Sequence, residues 1–285
     1  MRVLILGSRG QLGRDLERVF SGEGEVRGLD LPELDITDEA ALERIVDDFQ
    51  PDLVLNAAAY TDVEAAESHF EEALRVNALG PRVVGRVCAR HDVPVAHYST
   101  DYVFPEREAG AWSEDDPVDP DAALNAYGRS KALGEIALRA ETDRFYIIRT
   151  AWLFGPGGNN FVEKILRAAA ARPELRVVED ETGCPTHTWD LAEASRLLAR
   201  AGRFGVYHVV NRGECSRYVY AREILRLAGI NTPVVPCSSS EYPTAARRAR
   251  RSVLAMERYE AATGSRTRPW QEALAHYLER RSRSS

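Results

Sequence analysis

The chain has 285 residues, 44% of them hydrophobic and 28% charged, enough to bury a full core in one large or two modest domains. Its formal net charge of −7 argues against general affinity for nucleic acid or a membrane surface, since both favour a basic face. The four cysteines, Cys88, Cys184, Cys215 and Cys237, form no Cys-x-x-Cys pair, which speaks against zinc or a disulfide framework and for a reducing compartment.

No segment approaches the roughly 20 apolar residues that span a bilayer, and the chain enters its first strand, Arg2 to Leu6, with no basic leader before it. A cytoplasmic protein without membrane or nucleic-acid partners is expected. That strand runs directly into Gly7-Ser8-Arg9-Gly10-Gln11-Leu12-Gly13, which opens a helix near 11–21. Strand, glycine turn and helix in that order are the context in which glycines let the backbone approach a pyrophosphate, whose charge the helix N-terminus meets. The plainer reading is that these glycines only let strand and helix pack closely. The spacing is G-x-x-G-x-x-G, one residue longer than the G-x-G-x-x-G of many dinucleotide sites.

The second strand, Val26 to Leu29, ends at Asp30, 17 residues past Gly13. A carboxylate there takes the adenosine ribose hydroxyls and favours NADH. Arg9 and Arg27 lie near enough in sequence to take a 2′-phosphate, so NADPH stays open. Asp35 and Ile36 either close over the adenine or simply lead into a helix near 38–49, which starts acidic and spaces Leu42, Ile45 and Val46 by three and one. Leu53 to Asn56 and Val93 to His97 read as further strands, separated by a helix near 70–91. Ser99 to Phe104 follows the fourth strand, and a helix near 125–142 precedes a fifth, Phe145 to Ile148. Alternating strands and helices predict a parallel sheet covered by helices.

After about residue 150 the texture changes. A loop, Gly155 to Asn160, leads to a helix from Phe161 to Ala171. Strands at Leu175 to Val178 and Gly205 to Val210 and helices at Leu191 to Ala201 and Ser216 to Leu227 follow. Thr232 to Thr244 and Arg280 to Ser285 read as loop and tail. The expected fold is α/β: a Rossmann-like doubly wound parallel sheet with a smaller α/β substrate-binding domain. The dinucleotide-binding part is expected over 1–150, with parts of 180–211 returning to it, and the smaller domain over 151–179 and 212–285.

Of the 37 basic residues only two are lysines, Lys131 and Lys164; the rest are arginine. Lys131 follows Tyr127 by four residues, so on a helix the phenol and the ammonium share a face. A guanidinium is a wide planar fork, whereas an ammonium is a compact charge that fits beside a phenol and a ribose. In a doubly wound sheet ligands bind at the carboxyl edge, where the Ser99 to Phe104 segment emerges. Thr100 there, followed by Tyr127 and Lys131, supplies the parts for carbonyl reduction. Thr100 would hold the substrate oxygen, Tyr127 would give or take the proton, and Lys131 would lower the tyrosine's pKa and bind the nicotinamide ribose. Lys164 shows that a lysine also persists here with no tyrosine partner. The run Arg247-Arg248-Ala249-Arg250-Arg251 is either a solvated surface or, near a pocket, a match for a phosphate-bearing substrate.

These residues resemble the extended short-chain dehydrogenase/reductase family. Further passages resemble its dTDP-4-dehydrorhamnose reductase branch: Gly10 to Gly13, Leu34 to Thr37, Asn56 to Thr61, Ser99 to Phe104, Asn125 to Lys131, Arg149 to Trp152, Asn160 to Val162 and Gly183 to Thr186. Weaker agreement continues through Gly205 to His208 and Tyr242 to Thr244. The resemblance implies reduction by NADPH or NADH of the 4-keto group of a dTDP-linked keto-deoxysugar, giving dTDP-L-rhamnose. It implies Thr100, Tyr127 and Lys131 as the active triad. It also sets Ala59, Tyr60 and Thr61 against the cofactor, and Val63, Glu64, Asp101 and Trp152 around the sugar. In plainer readings Trp152 packs in the core and Val63-Glu64 begins a helix. The family's Arg-Pro-x-Asn-Ser-x-Leu stands here as Arg248 to Leu254 with the proline and asparagine lost, which opens the identity of the nucleotide sugar and leaves the reaction type untouched. A sister ketosugar reductase is therefore an alternative; a non-catalytic nucleotide-binding subunit is another, against which the intact triad argues. Some members bind magnesium at a dimer contact through glutamates. Asp15 and Asp190 stand at two such positions without a third, so no metal is expected, while a homodimer stays open.

Overall fold

The computed structural model describes residues 1–284. Six parallel strands form the main sheet: β1 (Arg2–Leu6), β2 (Glu25–Leu29), β3 (Leu53–Asn56), β4 (Val95–Thr100), β5 (Phe145–Thr150) and β6 (Gly205–His208), in the spatial order β6-β5-β4-β3-β1-β2. The order reverses between β1 and β3, and such a switch point opens a crevice at the carboxyl ends of the strands. Both faces of the sheet are covered. In β1, Val3 and Ile5 join one buried cluster with Leu12, Leu16, Leu191 and Leu198, while Leu4 and Leu6 join another with Leu42, Val46, Val84 and Val87. A continuous apolar run therefore marks a strand buried on two sides.

The first face carries α1 (Gln11–Phe20) and the second α2 (Glu39–Phe49). Phe70 to Arg90 is helical but not uniform: α3 (Phe70–Leu74) passes through a five-residue π segment, Arg75–Leu79, into α4 (Gly80–Arg90). Helix α5 (Ala126–Arg139) carries Tyr127 and Lys131. Beyond β5 lie α6 (Phe161–Ala171), α7 (Thr188–Ala201), α8 (Arg217–Ala228), α9 (Glu257–Thr263) and α10 (Trp270–Ser284). Helix α7 packs on α1, and β6 pairs with β5, so this stretch belongs to the main sheet. A third cluster joins α6, α8 and α10 through Val162, Ile165, Ile224, Leu274 and Tyr277.

Several elements depart from the sequence reading. The fourth strand runs on to Thr100, in register with Thr150 of β5, so Ser99 and Thr100 are strand residues. Within the expected loop Thr232 to Thr244, Val234–Cys237 is a strand paired with Leu175–Val178. Pro233 and Pro236 hid it, since proline is tolerated only at strand edges and ends. The expected tail Arg280 to Ser285 is helical as far as Ser284, and Ser285 lies outside the described residues. Trp270, Ala273, Leu274 and Tyr277, spaced three, one and three apart, anchor α10 in the third cluster, and its polar last turns continue from that anchor. Helix α9 was not anticipated. Among the described residues, no helix is long and apolar enough to cross a membrane.

Candidate active site

The crevice at the carboxyl edge is a cleft of about 830 Å³ bounded by the ends of β1 to β5, by α5 and by the segments around Trp152, Arg217 and Arg248. Its first wall is the glycine turn. Gly10 stands at the N-cap of α1 in extended conformation, with no side-chain cap and no acidic residue in the first turn. The amide groups of that turn are thus free of side-chain acceptors and favour an anion. A Cβ at Gly13 would lie 2.2 Å from the Gly7 carbonyl oxygen, so only glycine lets α1 start so close to the turn. An uncapped helix start beside a cradle that one extra carbon would fill fits a dinucleotide's pyrophosphate. Asp30 follows β2, and its carboxylate accepts from the Arg9 and Leu31 amides at 2.9 and 2.8 Å.

The second wall holds the expected triad. Asn125 caps α5, its Oδ1 accepting from Gly128 N at 2.8 Å while its Nδ2 donates to the Arg247 carbonyl at 2.9 Å. A Cβ at Gly128 would sit 2.1 Å from the Tyr102 carbonyl oxygen. The helix can therefore press against the end of β4, bringing Tyr127 to Thr100 and its ring to 5.8 Å from that of Tyr102, edge to face. Thr100 Oγ1 donates to Asp101 Oδ1 at 3.0 Å and is also hydrogen-bonded to the Tyr127 phenol. Burial, and then the Asp101 charge, hold the Tyr127 pKa above its ordinary value, with the Thr100 bond opposing. The phenol is protonated at neutral pH and has a proton to give. Burial raises Asp101 to about 6 against its bonds to Ser252 and Thr100.

Lys131 is fully buried. Its Nζ donates to the Tyr98 carbonyl at 2.7 Å and lies 3.3 Å from His97 Nε2. Burial pushes its pKa down to about 8, opposed by the charge of Glu135 one turn along. Glu135 itself is held by Ser99 Oγ at 2.5 Å and by Arg149, whose Nη2 reaches it at 2.7 Å. Such a buried pair is kept in place by the bonds that satisfy it.

A third wall comes from segments far apart in sequence. Trp152 adopts a left-handed backbone with φ of 46°, a costly conformation for a bulky residue that is retained where the surroundings demand it. The Arg217 guanidinium lies over its ring, 3.4 Å from the centroid, and meets Glu181 only at 3.7 Å. Arg248 pairs with Glu64. Of the arginine run 247–251, only Arg248 lines this cleft. Arg251 is spent on Gly110 and Glu214.

Gly7, Gly10, Gln11, Leu12, Gly13, Asp30, Asp35, Ile36, Ala59 and Thr61 all line the cleft, as do Val63, Glu64, Asp101 and Trp152 beside the triad. Two expected residues do not. The Arg9 guanidinium turns outward to Glu33 and the Leu31 carbonyl. Tyr60 is clamped by its backbone, giving its N–H to Asn77 Oδ1 at 2.9 Å and accepting from Asn77 Nδ2 at 3.0 Å. Arg217 and Tyr102 were missed as wall residues, and Lys164, read as having no tyrosine partner, lines the same cleft. Asp15 and Asp190 are engaged within the chain, by Thr188 and by Asn211 and Arg268.

A parallel sheet with a glycine turn after its first strand and a Tyr-x-x-x-Lys helix beside the carboxyl end of its fourth strand defines a class: dinucleotide-binding proteins of the short-chain dehydrogenase/reductase type. The model described as the RmlD substrate binding domain matches residues 1–283, and the chain belongs to that family. It is 40% identical over 283 residues to the spore coat polysaccharide biosynthesis protein SpsK of Bacillus subtilis, covering 99% of this chain and 98% of that one. A crystal structure of a dTDP-4-dehydrorhamnose reductase from Clostridium acetobutylicum superposes with a TM-score of 0.95 at 37% identity, over 99% of this chain and 100% of that one. The dTDP-4-dehydrorhamnose reductase of Bacillus anthracis, solved in complex with NADP, gives 0.94 at 32% identity, over 98% of this chain and 99% of that one.

Proposed function

We propose that the protein reduces the 4-keto group of a dTDP-6-deoxy-hexulose, converting dTDP-4-dehydro-L-rhamnose to dTDP-L-rhamnose. The observation that carries this reading is the meeting of Thr100, Tyr127 and Lys131 on the wall of one cleft whose far end is the uncapped glycine turn. The names of the solved relatives support the same substrate. NADPH or NADH, held by the glycine turn and Asp30, supplies the hydride when bound.

The chain's own residues do the rest. Tyr127 gives its phenolic proton to the 4-oxygen as the carbonyl becomes an alcohol. Thr100, whose one proton goes to Asp101 in this structure, turns it to the same oxygen and holds the carbonyl in line. The Lys131 ammonium stabilises the phenolate left behind. Trp152, Val63 and Glu64 shape the sugar site, and Arg217 with Arg248 meets the substrate's diphosphate by charge-assisted hydrogen bonds. We propose the same division of labour for the chain, with the sheet over 1–150 and part of 180–211 serving the cofactor and the remainder serving the sugar nucleotide.

The test is oxidation of NADPH and NADH by purified protein with dTDP-4-dehydro-L-rhamnose, for wild type and Tyr127→Phe. The variant should lose about a thousandfold or more of kcat, in the range that positioned acid catalysis and its coupled groups supply, while cofactor binding is unchanged. Equal rates would remove Tyr127 from the mechanism. Turnover of a different dTDP ketosugar but not this one would overturn the substrate and leave the chemistry standing.

A further inference from the structure

Beneath Lys131 lies a chain of buried polar groups that the reaction as described does not use. Asn56 at the end of β3, His97 on β4 and Lys131 on α5 are each at most 1% exposed. His97 Nε2 is 3.3 Å from Lys131 Nζ, and its Nδ1 is 3.3 Å from Asn56 Nδ2. Asn56 Oδ1 is buried without a partner.

As drawn, both nitrogens of the imidazole face donors. A neutral imidazole accepts at one nitrogen and donates at the other, and an imidazolium donates at both. One rearrangement removes the conflict at the imidazole and gives the orphaned oxygen a donor, the amide nitrogen taking the place the oxygen leaves. Turning the Asn56 amide, whose two ends have the same shape, brings Oδ1 to face His97 Nδ1. The imidazole then carries its proton on Nδ1, gives it to Asn56, and keeps the Nε2 lone pair for the ammonium. The opposite tautomer, with the proton on Nε2, requires an uncharged Lys131 and leaves Asn56 Oδ1 unsatisfied in the core.

We infer that His97 is a positioning residue for Lys131, locked by Asn56 in the Nδ1–H tautomer so that Nε2 accepts a hydrogen bond from the lysine ammonium. The triad accordingly extends inward by two residues that never touch substrate. With the Tyr98 carbonyl, His97 fixes two of the three ammonium protons and leaves the third for the cleft. The charged group that acts on Lys131 is Glu135 on its own helix, and that carboxylate is already met by Arg149 on β5. His208 on β6 faces Arg149 and not the lysine. Burial holds His97 well below its ordinary pKa, and the lysine charge holds it lower still. His97 therefore acts as a permanent neutral acceptor and is not a proton shuttle.

This inference rests on the reading of Lys131 as part of the reaction, and its test separates the two. The imidazole nitrogen shifts of His97 are recorded by 15N NMR near pH 6.5 in the wild type, assigned against His97→Gln. The proton is expected on Nδ1; a proton on Nε2 overturns the proposal whatever the activity. The pH profile of turnover is then compared for wild type, His97→Gln and His97→Leu, each checked for fold by circular dichroism. Losing a neutral acceptor to a buried cation should cost His97→Leu about tenfold in kcat and move its alkaline limb about one pH unit lower, the scale of one hydrogen bond to a charged group. His97→Gln, which keeps an acceptor oxygen, should restore the limb. A folded His97→Leu with an unmoved limb overturns the proposal. Should His97→Leu fail to fold, the tautomer decides alone, and an inactive wild type would count against the assigned reaction and not against the tautomer.

Discussion

One wall of the cleft is the glycine turn itself, backbone and small residues from one contiguous stretch, Gly7 to Gly13. On the opposite side the cleft is walled by long side chains, Trp152, Arg217 and Arg248, brought together from segments up to 96 positions apart. On the proposed reading, the first kind of wall serves what every nucleotide cofactor shares, a pyrophosphate that backbone amides and a helix start can hold. On the same reading, the second kind serves what is particular to a substrate and can be retuned by changing one side chain at a time. The first wall should therefore break completely when a single carbon is added, and the second should weaken by degrees.

Between the two walls, Gly13→Ala should show the larger effect. The new Cβ would meet the Gly7 carbonyl at 2.2 Å, and neither backbone can yield without moving the turn. Cofactor affinity measured by fluorescence titration should fall about a hundredfold or more, on the order of two lost hydrogen bonds to a charged group. Gly10→Ala, whose Cβ would lie 3.3 Å from the same oxygen, serves as the mild control. Loss of affinity in both alike would mean that the turn binds by flexibility and not by close approach.

Arg217→Met should be intermediate and one-sided. It keeps much of the apolar stem and removes the fork that lies over Trp152, so KM for the nucleotide sugar should rise about tenfold to a hundredfold while cofactor affinity holds. A matching loss of cofactor affinity would show that the two walls are not separable.

The smallest effect comes from proton concentration alone. Lys131 is charged below its pKa, which burial lowers from 10.5 to about 8, so kcat/KM should be flat below about pH 8 and fall tenfold per unit above it. The sign for stability is opposite. The unfolded chain holds that proton more tightly than the folded one between about 8 and 10.5, so this group's contribution to stability rises with pH across the same window in which activity is lost. Parallel pH profiles of turnover and of urea midpoint check both halves. An alkaline limb near the ordinary lysine value would show that Lys131 is not the titrating group.

The same contrast governs how much could be read from the chain alone. Strands β1, β3, β4 and β5 were legible because each holds a compact apolar run between turn residues, β2 because Val26 and Leu29 fall between a helix and a turn, and the placing of the glycine turn and of Tyr127 with Lys131 because each lies within a few consecutive positions. Val234–Cys237 was hidden by prolines that an edge strand tolerates, and the end of α10 by a composition that reads as a tail until Trp270 and Tyr277 are seen buried. Arg217 carried no signal: after Ser216 it looks like the first residue of any surface helix, and only the packing of α8 lays it over Trp152. The arginine run could not say which of its members faces inward, and Lys164 could not be assigned to a wall until α6 was placed.

Asn125 draws one more consequence from the way the helix of Tyr127 begins. Its carboxamide caps α5 with one end and grips the carbonyl of Arg247 with the other, so the start of the helix that carries Tyr127 and the segment that carries Arg248 are tied by one small fork. That fork works as a datum between the two banks of the cleft: whatever shifts the arginine segment shifts the start of the tyrosine's helix with it. The span between the Tyr127 phenol and the arginine segment is thereby gauged across the cleft by one side chain.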